Sequence, residues 1–229
     1  MAEIQLRNLT KRFEDVIAIN NVSLETQDRE FLVMLGPSGC GKTTTLRSIA
    51  GLEHPQEGDI FIGETRVNGL APADRDIAFV FQFYALYPHL TVYDNIAFPL
   101  KAAKVAKSDI EERVLSVAQM LRIEHILNRK PSLLSGGEMQ RVAIGRSMIR
   151  RPTVFLMDEP MSNLDAKLRV EMRSELKRLQ QQLGTTAIYV THDQVEAMSM
   201  ADRIAIMDHG RLKQIGTPEA VYNQPENLF

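Results

Sequence analysis

The residues with the clearest chemistry lie at positions 36–44, where the chain reads GPSGCGKTT. The apolar residues 31–35 before them predict a buried strand, and residues 46–50 after them predict a helix. A strand, a glycine-rich loop and a helix are the context that a phosphate-binding loop requires. Nine residues form this predicted site: Gly36, Pro37, Ser38, Gly39, Cys40, Gly41, Lys42, Thr43 and Thr44. The pattern predicts that the chain binds a nucleoside triphosphate.

Each part of this loop has an expected task. Glycine lets the backbone curl so that its N–H groups point at phosphate oxygens, and the following helix adds partial positive charge. Lys42 is placed to reach the β- and γ-phosphates, and the Thr43 hydroxyl is placed to bind Mg²⁺. Cys40 is more typical of a small loop residue than of a nucleophile, because the sequence shows no base beside it.

Two adjacent carboxylates follow another apolar run, in VFLMDEP at residues 154–160. A buried strand there delivers Asp158 and Glu159 at its carboxyl end, which is the edge of an open α/β sheet where ligands bind. Asp158 suits the coordination shell of Mg²⁺, and Glu159 is placed to polarise an attacking water. An acidic junction between a strand and a turn is common by itself, so this interpretation depends on the phosphate loop.

A third motif, LSGGEMQ at residues 134–140, has two interpretations. Ser135 and Glu138 match the S-x-x-E pattern of a helix capping box. The Ser-Gly-Gly turn at the start of a helix also suits a second anion site. The motif alone favours capping, and only the neighbouring motifs favour the anion site.

Hydrophobic patterning places these motifs in an α/β fold. We expect strands at residues 4–9, 18–24, 31–35, 59–62, 77–81, 154–157, 186–190 and 203–207, and a last short one between Gly210 and Gly216. The clearest predicted helices cover residues 108–121, 138–149 and 166–183. This plan gives a nucleotide-binding core at residues 1–87 and 152–229, with a helical segment inserted at residues 88–151.

Composition is typical of a globular enzyme. The chain has 229 residues, a net charge of −2 and a pI near 6.2, so nothing indicates an extended nucleic-acid-binding surface. One cysteine excludes an internal disulfide and a cysteine-based zinc site. No apolar run approaches the roughly 20 residues of a membrane span, and the N-terminus lacks an apolar signal core. A membrane role would therefore need a partner subunit.

Taken together, six motifs resemble the ATP-binding cassette of ABC transporters. In order they are the phosphate loop (Walker A), the Q-loop glutamine Gln82 in FVFQ, the signature LSGGEMQ, Walker B LMDEP, the D-loop SNLD at residues 162–165, and THD at residues 191–193. Segments 84–100, 162–169 and 215–229 are also similar to importer ATPases of the sugar (maltose and glycerol-phosphate) type. The resemblance implies a P-loop NTPase core, an N-terminal antiparallel β lobe and an inserted helical subdomain.

The resemblance also implies roles for individual residues. Phe13 matches the aromatic that stacks on adenine, and Gln82 matches the residue that contacts Mg²⁺ and the attacking water. His192 matches the switch histidine at the γ-phosphate, beside Glu159 and Lys42. Five further residues are expected at the nucleotide: Ala18, Ser135, Gly136, Gly137 and Asp165. The signature residues among them would contact a partner subunit's nucleotide, and Asp165 would communicate across the dimer.

Some positions depart from the common family pattern. Phe83 stands where a small residue is frequent, and Gly145 and Ser147 stand where alanine is frequent. Gly145 is expected to weaken its helix by up to about 1 kcal/mol. Sugar-type importers usually continue into a regulatory β-domain, whereas this chain stops at Phe229. By this resemblance we expect either a truncated chain or a version without that domain.

By resemblance, the expected function is ATP hydrolysis with Mg²⁺, in a homodimer at the cytoplasmic face of the membrane. The expected partners are membrane permease subunits and, indirectly, an extracytoplasmic solute-binding protein. Aromatic residues within segment 83–93 are expected to form part of the permease contact. Two alternatives stay open: a soluble ABC ATPase of DNA repair or translation, and a nucleotide-binding regulatory module without turnover. The sequence of this subunit does not identify the transported solute, and sugar is the leading hypothesis.

Overall fold

The structure is a computed structural model that describes residues 3–226 and has a mixed α/β architecture. Residues 1–2 and 227–229, which include the end of the importer-like C-terminal segment, lie outside the described part. The strands are β1 (Ile4–Phe13), β2 (Val16–Glu25), β3 (Phe31–Leu35), β4 (Glu57–Ile62), β5 (Thr65–Arg66), β6 (Ile77–Val80), β7 (Val154–Asp158), β8 (Thr186–Thr191), β9 (Arg203–Asp208) and β10 (Arg211–Gly216).

The helices connect and flank these strands. They are α1 (Lys42–Ala50), α2 (Val92–Ala102), α3 (Lys107–Met120), α4 (Gly136–Met148), α5 (Ala166–Leu183), α6 (Gln194–Met200) and α7 (Pro218–Asn223). Within residues 3–226, none combines the length and apolarity that crossing a bilayer requires.

A six-stranded sheet with the order β10-β9-β3-β8-β7-β6 forms the centre of the fold. Strand β3 pairs in parallel with β8 and β9, and β7 pairs in parallel with β8. The β3 side chains from Phe31 to Met34 are each at most 1% exposed, as expected for a parallel strand covered on both faces. This burial explains why β3 is a continuous apolar run rather than an alternating one.

The register of the parallel strands brings three chain segments to one edge of this sheet. Leu35 at the end of β3 pairs with Thr191 at the end of β8, and Asp158 at the end of β7 pairs with Val190. The phosphate loop, the carboxylate pair and the Thr191–His192 turn therefore leave the sheet at the same edge, where ligands bind in α/β folds.

A separate antiparallel sheet has the order β2-β1-β4-β5 and carries the N-terminal part of the chain. Its inner side chains, among them Ile4, Leu6, Leu9 and Ile60, join one hydrophobic core with α1 and the central sheet. The predicted α/β fold with an antiparallel β lobe and an inserted helical region is confirmed.

The chain divides into two compact units. One comprises Met1–Phe79, Thr153–Glu159 and Glu171–Phe229, and it contains nearly all of both sheets. The other comprises Val80–Pro152 and Pro160–Val170, and it contains α2, α3 and α4. The domain boundaries expected from the sequence, with a helical segment at residues 88–151, stay a prediction.

Most predicted elements are present, with shifts at their ends. β3 and α5 have the predicted bounds, whereas α1 starts at Lys42 rather than at residue 46. The sequence pattern does not single out helix α2, because Pro99 within it weakens the helical pattern. It is nonetheless stabilised at its start, where the Thr91 side chain accepts a hydrogen bond from the Asp94 amide.

Packing changes the expectation for Gly145. A Cβ atom at this position would lie 3.0 Å from Leu121 Cδ1 and 3.2 Å from Val117 Cγ1. Alanine would therefore press on buried side chains beside α3, which opposes its higher helix propensity. The glycine is better explained by close packing than by helix weakening alone.

A buried arginine ties down the C-terminal end of α1. The Arg75 guanidinium donates to the carbonyls of Ser48 (2.9 Å) and Ile49 (2.6 Å) through Nη1, and to Leu70 O through Nε and Nη2. Arg75 is 3% exposed, and burial lowers its pKa. It satisfies carbonyls that a helix end leaves without intrahelical partners.

We predict that Arg75→Met destabilises the chain by about 3 kcal/mol, because two buried carbonyls and one partly buried carbonyl lose a charged donor. Urea unfolding followed by circular dichroism measures this change. The matched control is Arg66→Met, which removes an ion pair to Asp59 at 2.6 Å from a side chain that is 58% exposed. Its expected cost is below about 1 kcal/mol. Equal losses in both variants would show that Arg75 is not a special anchor of α1.

Candidate functional site

The phosphate loop connects β3 to α1 and packs directly against neighbouring backbone. A Cβ atom on Gly36 would overlap the carbonyl oxygen of Met207, and one on Gly41 would overlap that of Ala18. Gly41 also has φ +105°, a conformation that side chains rarely adopt. At the tip of the loop, Pro37, Ser38 and Gly39 are exposed.

Lys42 folds back over this loop. Its ammonium donates to Gly36 O at 2.8 Å and to Pro37 O at 2.9 Å, and it lies 3.7 Å from Cys40 Sγ. The residue is only 4% exposed. Burial raises the pKa of the Cys40 thiol more than the nearby ammonium lowers it, so this cysteine is held in its unreactive form.

Two oxygen donors that suit a divalent cation lie side by side. Thr43 Oγ1 at the start of α1 donates to Asp158 Oδ1 at the end of β7, at 2.7 Å. Asp158 is 6% exposed, and burial raises the pKa of its carboxyl despite the hydroxyl bond from Thr43. A carboxylate that is costly to ionise here would be stabilised by a bound cation.

Glu159 and His192 form a second polar pair at the same edge of the sheet. His192 Nδ1 lies 3.2 Å from Glu159 Oε2, and the histidine side chain is 55% exposed. Glu159 has φ +42°, an uncommon value outside glycine, and its amide donates to Val190 O at 3.1 Å. This backbone conformation lies outside the extended region, and β7 accordingly ends at Asp158, one residue before Glu159.

Phe13 ends β1 and is 42% exposed. The Lys11 ammonium lies 4.6 Å from the ring centroid and donates to His54 O at 2.9 Å. Lys11 also forms an ion pair with Glu53 at 3.4 Å. This contact was not expected from the sequence, and it holds the ring from one side while the rest stays accessible.

The remaining predicted site residues lie in the helical unit. Gln82 Nε2 donates to Ser162 Oγ at 3.4 Å, and Asn163 Nδ2 donates to the backbone carbonyl of Gln82 at 3.1 Å. Asp165 Oδ1 accepts from Leu168 N at 3.0 Å, close to the start of α5. The Q-loop and D-loop segments are therefore bonded to one another within this unit.

The signature motif forms the capping box that its sequence predicts. Ser135 Oγ accepts from Glu138 N, and Glu138 Oε2 accepts from Ser135 N at 2.7 Å and from Ser135 Oγ at 2.8 Å. Gly136 and Gly137 form the first turn of α4, and a Cβ atom on Gly137 would crowd Leu168. Capping is observed, and a second anion site at the same helix end stays a prediction.

Sequence reasoning missed the support behind the Q-loop. Tyr84 and Ala85 have φ values of +48° and +49°. Arg146 of α4 donates to Ala85 O at 2.7 Å and to Tyr84 O at 3.2 Å, which holds this uncommon backbone in place. No local pattern signals this contact, because the arginine follows the loop by about 60 residues.

The donor set in the sheet unit fits a magnesium–nucleotide complex. The loop combines close-packed glycines, a buried ammonium and a helix N-terminus, which together suit phosphate. The Thr43 hydroxyl and the Asp158 carboxylate are hard oxygen ligands of the kind that Mg²⁺ prefers.

Comparison with known proteins places this geometry in a family. The profile of the ABC transporter family matches residues 19–162. The trehalose/maltose import ATP-binding protein MalK of Thermococcus litoralis is 60% identical over all of this chain and 63% of its own length. GgtA of Synechocystis, described as an osmoprotective compounds uptake ATP-binding protein, is 58% identical over all of this chain and 63% of its own length. The chain thus spans less than two thirds of these relatives.

Solved structures agree with this assignment. The ATP-binding cassette MJ0796, described as a dimer in a post-hydrolysis state bound to ADP and Pi, is 33% identical with a TM-score of 0.83. The match covers 94% of this chain and 98% of that one. CbiO1 of Clostridium perfringens is 26% identical with a TM-score of 0.89, over 97% of this chain and 91% of that one. The chain belongs to the ABC transporter family.

Proposed function

We propose that this chain is the ATP-hydrolysing subunit of an importer for sugars or related solutes. The observation that carries the proposal is the pairing of Glu159 with His192 beside the Thr43–Asp158 pair. A metal-binding pair next to a pair suited to water activation is what hydrolysis of a bound triphosphate requires. The phosphate loop supplies the site for the triphosphate itself.

In this reaction a water oxygen attacks the γ-phosphorus, and the bond to the bridging β–γ oxygen breaks to leave ADP and inorganic phosphate. Glu159 orients the water and draws on its proton, while Lys42 and His192 offset the charge on the phosphate oxygens. Thr43 and Asp158 would hold Mg²⁺. When bound, Mg²⁺ supplies further charge neutralisation at the β- and γ-phosphates.

Nucleotide recognition would use both ends of the site. Phe13 presents a partly exposed ring for stacking on the adenine base, and Ala18 lies against the loop at Gly41. The loop from Gly36 to Thr44 would hold the phosphates. Because a ring face accepts any purine, we expect weak discrimination between ATP and GTP.

We propose a two-fold dimer in which each signature motif faces the partner chain's phosphate loop. The resemblance to ABC cassettes assigns Ser135, Gly136 and Gly137 to the γ-phosphate of the partner's ATP, and Asp165 to contact across the interface. The dimeric state described for MJ0796 supports this arrangement. ATP would then hold the two chains together, and hydrolysis would release them.

The names of the relatives support an import role. Trehalose, maltose, xylose, arabinose and osmoprotective compounds appear among their solutes. We therefore propose that the chain works at the cytoplasmic face of the membrane, bound to separate permease subunits. A solute-binding protein would act on it only indirectly, through those permease subunits.

We predict that Asp158→Asn stabilises the nucleotide-free chain at pH 7 by about 0.5–2 kcal/mol. Burial raises the carboxyl pKa in the folded state, so the folded chain is destabilised once this group is ionised. That cost disappears as the pH falls below the pKa of the unfolded chain, near 4. Urea unfolding at pH 7 and near pH 4 should therefore show a stability gain that shrinks on acidification.

The same substitution should remove the stabilisation of the chain by magnesium and ATP in thermal denaturation. Asp59→Asn is the matched control, because Asp59 is an exposed carboxylate paired with Arg66. It should leave both the stability and the response to magnesium nearly unchanged. A less stable Asp158→Asn chain, or one that keeps the full magnesium response, would contradict the assignment of Asp158.

Replacing Glu159 with glutamine should separate ATP binding from hydrolysis. The amide keeps the shape of the side chain but cannot accept a proton, so we expect phosphate release to fall at least about 100-fold. The variant should bind ATP and accumulate as an ATP-dependent dimer, measured by size-exclusion chromatography with light scattering. Glu64→Gln, at an exposed turn position, is the control and should behave as the parent chain.

Adding Ser135→Arg to Glu159→Gln should abolish the dimer, because the larger side chain fills the signature turn. ATP binding by the monomer should persist. A Glu159→Gln chain that hydrolyses ATP at the parent rate would remove Glu159 from its proposed role. A dimer that survives Ser135→Arg would show that the signature motif does not form the interface.

A further inference from the structure

A buried carboxylate lies directly behind the His192 turn and has no task in the proposed reaction. Glu196 is in the first turn of α6 and is 5% exposed. Its Oε2 accepts hydrogen bonds from Tyr189 Oη at 2.8 Å and from Thr191 Oγ1 at 2.7 Å. Within residues 3–226 it has no ion pair to a basic side chain. Burying a carboxylate whose side-chain hydrogen bonds come only from hydroxyl groups costs folding free energy. This cost indicates that Glu196 has a specific role at this position.

One of these two bonds runs to the turn that carries His192. Thr191 Oγ1 donates to Glu196 and also accepts from the Asp193 amide at 3.0 Å. The Asp193 carboxylate accepts from the amides of Val195 (2.8 Å) and Glu196 (3.1 Å) at the start of α6. The residues on both sides of His192 are therefore bonded to α6, while the His192 side chain itself is 55% exposed.

The other bond faces the core. Tyr189 is fully buried in β8, and its ring lies 5.9 Å from that of Phe31. Burial and the nearby Glu196 carboxylate raise the pKa of Tyr189 well above its usual value, so it remains a hydroxyl donor. Tyr189 thus contacts the carboxylate from the core side, while Thr191 contacts it from the side of the turn.

We propose that Glu196 is a positioning residue that sets the place of His192 through the Thr191 hydroxyl. The inference rests on the proposed ATP hydrolysis, because His192 is the group that would act at the γ-phosphate. Its contact with Glu159 at 3.2 Å depends on where the turn between β8 and α6 is held. Releasing Thr191 from Glu196 lets this turn move while the core bond from Tyr189 stays intact.

The test compares two variants that each remove one hydroxyl from the same carboxylate, with Thr191→Val also removing the acceptor of the Asp193 amide. Thr191→Val keeps the shape of the side chain and should lower kcat for ATP about 10- to 100-fold with little change in KM, because the reacting groups lose alignment. Tyr189→Phe should leave kcat within about twofold of the parent chain, because His192 keeps its anchor. Thr191→Ser restores the hydroxyl and should restore most of the rate.

A double-mutant cycle tests Glu196 itself. Glu196→Leu removes the carboxylate but leaves the bond from the Asp193 amide to Thr191, so it should reproduce only part of the loss of kcat seen in Thr191→Val. The combined variant should be no slower than Thr191→Val, because Thr191→Val already breaks the bond between Thr191 and Glu196. The proposal would be overturned if the loss of kcat in the combined variant were the product of the two single losses. Equal losses of kcat in Thr191→Val and Tyr189→Phe would also overturn it. Urea unfolding of each variant separates loss of rate from loss of fold.

A readout without turnover separates this inference from the proposed function. NMR spectra of the His192 imidazole should shift in Thr191→Val and stay unchanged in Tyr189→Phe. If the parent chain releases no phosphate from ATP, the proposed function fails, and these spectra still decide the positioning. Unchanged His192 signals in Thr191→Val would overturn the positioning itself.

Discussion

The close approach of the phosphate loop to neighbouring backbone is the constraint on which the rest of this site depends. Gly36 lies against the Met207 carbonyl of β9, and Gly41 lies against the Ala18 carbonyl of β2, with no room for a side chain at either contact. The loop is thus shaped by both sheets at once. Because backbone does not yield as side chains do, the start of α1 and the positions of Lys42 and Thr43 follow from these two contacts.

The parallel register of the central strands brings the other residues of the site to the same edge of the sheet as the phosphate loop. Once β3, β7 and β8 are aligned, the residues that follow them must emerge together, whatever their identity. Beyond the ends of these strands the backbone becomes irregular. Glu159 has φ +42°, and the turn that carries His192 is held by hydrogen bonds to the start of α6. The regular sheet sets the general location, and irregular turns set the direction of each side chain.

Local patterns explain why much of this could be predicted from sequence. Some features can be recognised from a few neighbouring residues alone. They are the apolar run of β3, the capping pair Ser135–Glu138 and the acidic pair at the end of β7. The supporting contacts are different, because each joins residues far apart in the chain. Arg75 reaches α1, Arg146 reaches the strained Tyr84–Ala85 backbone, and Lys11 reaches the loop after α1. Nothing near these residues in sequence indicates their partners.

The internal bonds of Lys42 bear on which anions this loop can select. Its ammonium already has two carbonyl acceptors within 2.9 Å, so an incoming anion must replace them rather than meet an unpaired charge. The gain is only the difference between charged and neutral acceptors, and a small monovalent ion gains little from that exchange. A polyphosphate brings several charged oxygens at once and also reaches the loop amides. Selectivity over the salts of the cell would then come from a lysine that is already satisfied.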